Sequence, residues 1–586
     1  YGSTPSGISA AVNAASEGAS VILLEPTGHF GGLVTGGMSN PDFKTFEALS
    51  GFYLDFMQRV VNYYEEKYGE DSRQVKDSYH GVWYEPHVAK EIFTALIEDA
   101  GVELRLQEQL TEAVIVDGKI ESIITSSEDQ ETSRFNASVF IDATYEGDLM
   151  ALAGCDFRVG RESRAEYGEL YAGKKFYDGG KFLIGSTGEG DHRIQCYNFR
   201  LCMTDDPAIR VPVPKPQGYD RSAFLPLLEL LKSGKITGFV NELIAVNRIP
   251  NGKADINDKM YSLYSLRLPG ENYDWPNGGP LTRQKIFERH KSYTLGFLYF
   301  LQNDPEVPDK IREETSEWGF AKDEFPEYDH FSPALYVREG RRLKADFVLT
   351  EQDLLPTDES VRSPLKKDAI AICDYSMDSH GNTPPSSMHP DITEGVFNAY
   401  VVPYQIPYSV MVPKEVDGLL VTCAVSASHV AFSSLRMEPT WCALGQAAGM
   451  AAAMSLDGGL VRKVDISILQ QKLHQKGCMT VYVSDISPDS PHFEAVQYFG
   501  TQGFFNDLPE YKDVPHIGRG GKGGLPGQFI LKYPYHDLSP DKILDKELAM
   551  KWTRMAGISI DRLQWTPGKT TRIEFLNKMY SQIEDH

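Results

Sequence analysis

Tyr1-Gly2-Ser3-Thr4-Pro5-Ser6-Gly7 runs into a helical apolar repeat, and Val21-Ile22-Leu23-Leu24-Glu25 follows it. The reading of this stretch decides the fold. Ile8, Ala11, Val12 and Ala15 recur at the spacing of one helix face. Pro5 stands where a first helical turn tolerates proline, and Gly18 supplies the stop. Residues 21–24 form the unbroken apolar run of a parallel strand buried on both faces. Glu25, at the end of that run, falls where a dinucleotide-binding unit places its ribose-binding carboxylate. The fingerprint G-x-G-x-x-G would occupy Gly2, Thr4 and Gly7, with Thr4 in the place of the middle glycine. Only Tyr1 precedes Gly2, whereas such a unit needs a first strand of about five residues there. The expectation is therefore a strand upstream of Tyr1.

Composition narrows the class. A chain of 586 residues is too long for one ordinary core and predicts two to four domains. A net charge of −24 argues against nucleic acid as a partner. The sequence has no apolar run long enough to span a bilayer. It leaves the compartment open between cytoplasmic and periplasmic or secreted. The seven cysteines include no C-x-x-C pair, so no iron–sulfur cluster or zinc site is expected, and no metal is assigned.

Outward from the opening stretch, residues 1–152 read as α/β. Helices are expected over 48–68 and 88–100, and strands over 102–106, 112–116, 119–125 and 134–141. Asp117-Gly118 marks a hairpin turn. A further strand, 139–142, runs into a Gly/Asp loop in which Thr144 and Gly147 offer backbone amides to a nucleotide. Residues 153–394 change texture and read as an inserted α+β substrate or cap domain. It carries a strand over 193–203, a helix over 287–302 and a loop over 374–395. Residues 395–479 return to strands, at 408–412 and 418–423. They are followed by a helix opening at Glu438 and rich in Gly and Ala, and by another capped at Asp465. Residues 480–586 form a small, mainly helical C-terminal region around a loop at 518–527.

Two distant motifs carry a resemblance. One is Glu25-Pro26-Thr27-Gly28-His29-Phe30-Gly31-Gly32-Leu33. The other is Thr422-Cys423-Ala424-Val425-Ser426-Ala427-Ser428-His429, continuing to Leu435-Arg436-Met437-Glu438-Pro439-Thr440. With Tyr145-Glu146-Gly147-Asp148, Tyr197-Asn198-Phe199-Arg200 and Val337-Arg338-Glu339-Gly340-Arg341-Arg342, they resemble the bacterial FAD-dependent oxidoreductase family of the glutathione-reductase-like superfamily. Some members of that family are labelled xanthan lyases, but no lyase constellation is present here. The likeness covers most of residues 1–480. It implies a Rossmann-like FAD-binding domain split in sequence, completed from the far end of the inserted domain. On that likeness Gly2, Thr4, Pro5, Ser6 and Gly7 hold the pyrophosphate, Glu25 and Pro26 the ribose, and Gly31, Gly32 and Leu33 allow close approach. Cys423-Ala424 replaces the usual Gly-Asp or Gly-Arg pair near the ribityl chain. The helix starting at Glu438 and Thr440 points its positive end at the flavin. Segments 487–503 and 563–582 carry a partial likeness to S-layer homology repeats, beside the plainer reading of a helical appendage.

The implied chemistry is hydride transfer from a small hydroxylated substrate, a sugar or another such molecule, to flavin, with an electron acceptor that is not identified. His429, between the flavin strand and the next helix, is the candidate base, against a structural role in the loop. Arg436 is a candidate for a substrate carboxylate or the flavin O2, against an ion pair with Glu438. On a helix, Arg338, Arg341 and Arg342 would share one face, and Arg338 and Arg342 are taken as substrate residues. Tyr197 and Asn198 are candidate contacts from the inserted domain. Alternatives are a flavoprotein subunit resembling that of heterodisulfide reductase and a surface polysaccharide-binding protein that keeps a flavin fold.

Overall fold

The computed structural model describes residues 1–127, 129–357, 360–456, 458, 460–508, 532–533 and 535–584; the loop expected at 518–527 lies outside them. Helix α1 (Pro5–Ser16) is capped by Thr4, whose Oγ1 accepts a hydrogen bond from Gly7 N at 3.2 Å. It leads through Gly18 into β1 (Ile22–Leu24). Helices α2 (Gly51–Tyr68) and α3 (Pro86–Asp99) pack their apolar faces beside it, and the chain returns as β2 (Glu103–Arg105), parallel to β1.

A meander follows: β3 (Gln109–Val116), β4 (Lys119–Ser126) and β5 (Thr132–Asn136), with Asp117 and Gly118 both at positive φ in the tight turn. The strand expected over 134–141 is thus two elements. Residues up to Asn136 close the meander, while β6 (Phe140–Asp142) belongs to the nucleotide-binding domain. Tyr1 and Gly2 pass between β1 and β6. The Tyr1 amino group donates to Ile141 O, Ala143 N to Tyr1 O, and Gly2 N to Leu24 O, each at 2.8 Å. Beside them β1 and β6 stand apart across an apolar groove of about 540 Å3, lined by Ala10, Ala14, Leu23 and Ile141 among others.

After a short helix α4 (Asp148–Leu152), the inserted domain supplies β7 (Asn198–Phe199), β8 (Leu201–Thr204), β9 (Arg210–Val211), β10 (Ile244–Ile249), β11 (Lys253–Asp258), helix α5 (Pro280–Asn303) and β12 (Gly319–Ala321). Its sheet runs β9-β12-β8-β11-β10, antiparallel throughout, with α5 helping to close its core. The strand expected over 193–203 begins only at Asn198 and breaks at Arg200, so that β7 pairs instead with β13 (Leu335–Tyr336). The expected loop at 374–395 contains β14 (Met377–His380), paired with β15 (Val396–Ala399). Residues 408–412 are a 3-10 turn rather than a strand; the strand there is Tyr404–Pro407.

β16 (Leu419–Val421) lies parallel to β6, in register Leu420 with Ile141, and so returns the chain to the first domain. Two helices follow, α6 (His429–Leu435) and α7 (Glu438–Met454), the second crossing α1 closely. The fold is therefore α/β, a Rossmann-like domain split by some 280 residues between strands that pair side by side. The region after α8 (Ile466–Gln475) holds α9 (Phe493–Thr501), α10 (Lys546–Ala556) and α11 (Arg572–Glu584). Their apolar core includes Trp552 and extends to Ile372 and Val402. Buried Arg362 ties this region on through bonds to the carbonyls of Tyr482, Phe505 and His536. Among the described residues no helix is long and apolar enough to cross a membrane.

Candidate active site

The nucleotide half is built where β1, α1 and β6 end together. Gly2, at φ +95, lies so close to the following loop that a Cβ would stand 2.8 Å from Thr144 N, so only glycine fits there. Thr4 Oγ1 donates to Ala143 O (2.7 Å) and lies 3.8 Å from Cys423 Sγ. The buried Ser6 hydroxyl, near that thiol, has no hydrogen-bond partner among the described residues. In front of these groups opens a cleft of about 490 Å3, bordered by Gly2, Thr4, Glu25, Pro26, Gly32 and Thr144. Glu25 accepts four hydrogen bonds, from the amide and hydroxyl of Ser3 (2.9 and 2.7 Å) and of Thr27 (3.0 and 2.7 Å). A carboxylate offers about four acceptor sites, so those of Glu25 are all engaged by Ser3 and Thr27. Burial pushes the Glu25 carboxyl up, and these bonds oppose it.

Behind the cleft, the positive end of α7 meets Tyr145. The Tyr145 hydroxyl donates to Glu438 Oε1 (2.7 Å) and accepts from Leu33 N (3.3 Å). Glu438 Oε2 is buried without a hydrogen-bond partner among the described residues, and burial pushes its carboxyl up to about 8, against the Tyr145 bond. Gly147 caps α4, where an added Cβ would stand 2.8 Å from Ala424 Cβ. The cofactor residues read from the sequence thus fall in separate groups. Gly2, Thr4, Glu25, Pro26, Gly32 and Thr144 border the cleft. Pro5, Ser6, Gly7, Gly31, Leu33, Gly147, Cys423, Ala424 and Glu438 do not line it, and Thr440 lines a separate cavity with Asp42, Phe43 and Tyr375.

On the inserted domain's side, two guanidinium groups share one ring. Arg338 lies 4.4 Å and Arg436 5.6 Å from the Tyr336 ring centroid. Arg436 donates to the Tyr336 hydroxyl (2.7 Å), to Asp378 O (3.0 Å) and to Asp378 Oδ2 (3.2 Å). The ion pair of Arg436 with Glu438, weighed from the sequence as the alternative role, is not made: Glu438 turns to Tyr145 and Arg436 to Asp378. From Asp378 a chain of charge continues through His380, whose Nε2 and Nδ1 face Asp378 (3.1 Å) and Asp258 (2.7 Å), to Arg267. Burial pushes the Asp258 carboxyl up, but Arg267 and His380 outweigh it and hold it far below the usual range.

His429 opens α6 and Arg436 closes it, so the two catalytic candidates stand at opposite ends of a seven-residue helix. The His429 Nδ1 lies 2.9 Å from both oxygens of Glu339, and its amide donates to Glu162 (2.8 Å). Its Nε2 is buried with no hydrogen-bond partner among the described residues. Burial pulls the imidazole below its ordinary value despite Glu339. Arg342 joins Glu339 to Glu162 (2.8 Å) and also donates to Gly160 O and Ala427 O. Lys175 lies nearby, fully buried 4.5 Å from the Phe397 ring centroid, and burial, then Arg161, push it down to about 7.

The arginines of 338–342 do not share a helix face. The segment is extended, its only regular element being a two-residue strand at Arg342–Leu343, so Arg338 and Arg342 diverge to different partners. Tyr197 donates to Glu339 O (2.5 Å) and packs edge-on against Trp275, deep in the inserted domain's core. Asn198 bonds Phe199 O and Asn257. The sequence reading passed over Tyr145, Tyr336, Asp378 and His380. Tyr145 lay inside a quoted motif, but the other three are joined only by pairing across distant strands. Glu85, His87, Asp323 and Glu324 cluster as metal ligands do, yet the Lys253 ammonium already sits among their carboxylates at 2.6–2.7 Å.

A family model described as FAD dependent oxidoreductase matches residues 1–473. No curated protein matches the chain. Among solved structures it is similar to the myxobacterial chondrochloren halogenase CndH, with 11% identity over 54% of this chain and 59% of that one and a TM-score of 0.25. It is also similar to the 3-ketosteroid-Δ4-(5α)-dehydrogenase of Rhodococcus jostii RHA1 (11% identity, 32% and 60% covered, TM-score 0.19). A third is the glycerol-3-phosphate dehydrogenase of Bacillus halodurans solved with FAD (10%, 28% and 40%, TM-score 0.18). Each match spans less than two thirds of the other chain. The family model takes in both halves of the split domain and everything between them: the chain belongs to the FAD-dependent oxidoreductase family, and FAD is its cofactor.

Proposed function

We propose that this oxidoreductase acts on a small hydroxylated substrate of carbohydrate type, with His429 as the base that takes the hydroxyl proton. Bound FAD supplies the two-electron oxidant. The turn from Gly2 to Gly7 and the start of α1 would hold its pyrophosphate, and Glu25 its ribose. The observation that carries the reading is the state of His429: Nδ1 anchored on Glu339, Nε2 buried and unpartnered. A carboxylate on one ring nitrogen fixes the tautomer and leaves the other as the acceptor. Burial holds the ring below its ordinary value of 6.5, so it is neutral and ready to accept a proton near pH 7. Proton transfer to Nε2 leaves an imidazolium whose Nδ1–H is already paired with Glu339.

The test is anaerobic bleaching of the flavin by sugars, sugar acids and polyols. The wild-type rate should fall on an acid limb below pH 6.5. His429→Gln should slow bleaching by about 10²- to 10⁴-fold, the usual worth of a general base, and abolish the limb. A Gln variant that bleaches at the wild-type rate with an unmoved pH profile would rule His429 out.

A further inference from the structure

We propose that the substrate carries a carboxylate and that Arg338, seconded by Arg436, is its binding fork. This deepens the proposed function and rests on it for the place of turnover, but not for binding itself.

Arg338 is 1% exposed. Its Nη1 donates to Cys196 O at 2.9 Å, and its plane lies against the Tyr336 ring. These two contacts fix the guanidinium without using its Nε and Nη2, which are buried with no hydrogen-bond partner among the described residues. That edge is the one by which other buried arginines of this chain grip carboxylates. Arg200 takes Asp255 with Nε to Oδ1 (2.8 Å) and Nη2 to Oδ2 (2.5 Å). Arg161 takes Asp191 in the same way, at 3.0 and 2.6 Å. Arg338 presents the same two parallel donors with nothing between them. Arg436, on the same ring, adds a further buried and unpartnered Nε.

The local charge favours the same occupant. Asp258, whose field reaches Arg338, is committed to Arg267 and His380, and Asp378 to Arg436 and His380. A buried guanidinium whose neighbouring acids are spent is costly unless an anion arrives with the ligand. Two coplanar N–H groups suit an anion that offers two oxygens side by side, and in this chain the buried forks of Arg200 and Arg161 hold carboxylates. The ligand class is thus a small hydroxy acid rather than a neutral polyol.

The experiment titrates the FAD-loaded protein with acetate, sulfate and glycerol, read by calorimetry and by the shift of the flavin's visible spectrum. Acetate should bind in preference to both other probes. Arg338→Met should weaken it by about 10- to 100-fold, the worth of a lost charge-assisted pair. Sulfate binding as tightly as acetate, no acetate binding, or an undiminished affinity in the Met variant each overturns the proposal. Should that variant not fold, phenylglyoxal labelling of the unaltered protein decides. Protection of Arg338 by acetate supports the fork, and labelling unchanged by acetate rejects it. Because acetate binding needs no turnover, its failure is separate from a failure of hydroxylated compounds to bleach the flavin.

Discussion

The interior at the α1–α7 crossing and the interior around Arg342 are packed by opposite means. At the crossing the contact is backbone on backbone: an added Cβ would stand 2.1 Å from Ser6 O at Gly445 and 2.2 Å from Ala10 O at Gly449. Around Arg342 the contact is charge on charge, with Glu162, Glu339 and two carbonyls converging on one guanidinium that is fully buried. The first kind of packing fails through shape and the second through uncompensated charge. The sharpest break of the comparison pits two arginines four residues apart. Arg342→Met should destabilise the protein by about 3–5 kcal/mol, because buried Glu339 and Glu162 lose the guanidinium they share, with only Glu162 keeping a second arginine, Arg158 at 3.3 Å. Arg338→Met strands only one carbonyl and removes a charge with no bound anion, so about 1 kcal/mol is expected. Urea denaturation of both variants measures the contrast; equal losses would mean that Arg338 is as firmly paired as Arg342.

The next effect belongs to the small-residue side. Gly445→Val inserts side-chain bulk where α7 touches the first turn of α1, and overpacking of this kind costs about 1–3 kcal/mol. The strain falls on the turn proposed to hold the pyrophosphate, so FAD retention should fall further than stability alone predicts. The ratio of flavin to protein absorbance after purification, set beside the thermal midpoint, separates the two. A variant that keeps full flavin with a lowered midpoint would show that the crossing only supports the fold.

How much of this was legible in the sequence follows the same division. The small-residue half is written locally: Thr4 and Pro5 at the start of α1, Gly18 after it, the Gly/Ala run of α7, and β16 to complete the sheet. Each is a short-range signal of propensity or periodicity, and the paired strands Ile141 and Leu420 bear out the split domain. The charged half is written at long range. That Asp258, His380, Asp378 and Arg436 form one chain depends on β11, β14 and the end of α6 meeting in space. Nothing in Met377–His380 marks it as a strand until Val396–Ala399 pairs with it. The run 338–342 shows the limit best. Its spacing fits a helix face, but the backbone is extended, so neighbouring arginines part to different partners.

The last effect is set by pH and is expected at the start of α7. Glu438 is an acid inside the small-residue half with a hydroxyl on one oxygen and nothing on the other. No cation faces it among the described residues, and burial carries its carboxyl up to about 8. An acid whose folded value is raised costs nothing while it is protonated in both states, below its ordinary value of 4.5. It then costs stability progressively as pH rises from 4.5 towards 8, because only the unfolded chain ionises freely. Glu438→Gln keeps the shape and removes that proton. The variant should therefore match the wild type at pH 4.5 and pull ahead as pH rises, by no more than about 1.4 kcal/mol per pH unit. The Tyr145 bond and the cofactor temper the slope, so chemical denaturation across pH 4.5–8 is best run on protein with and without FAD. Parallel curves for the two proteins would mean that Glu438 is charged in the native state and that a cation or the cofactor's own donors compensate it. The small-residue half would then depend on charge as the Arg342 network does, and the contrast between the two interiors would lose its cleanest case.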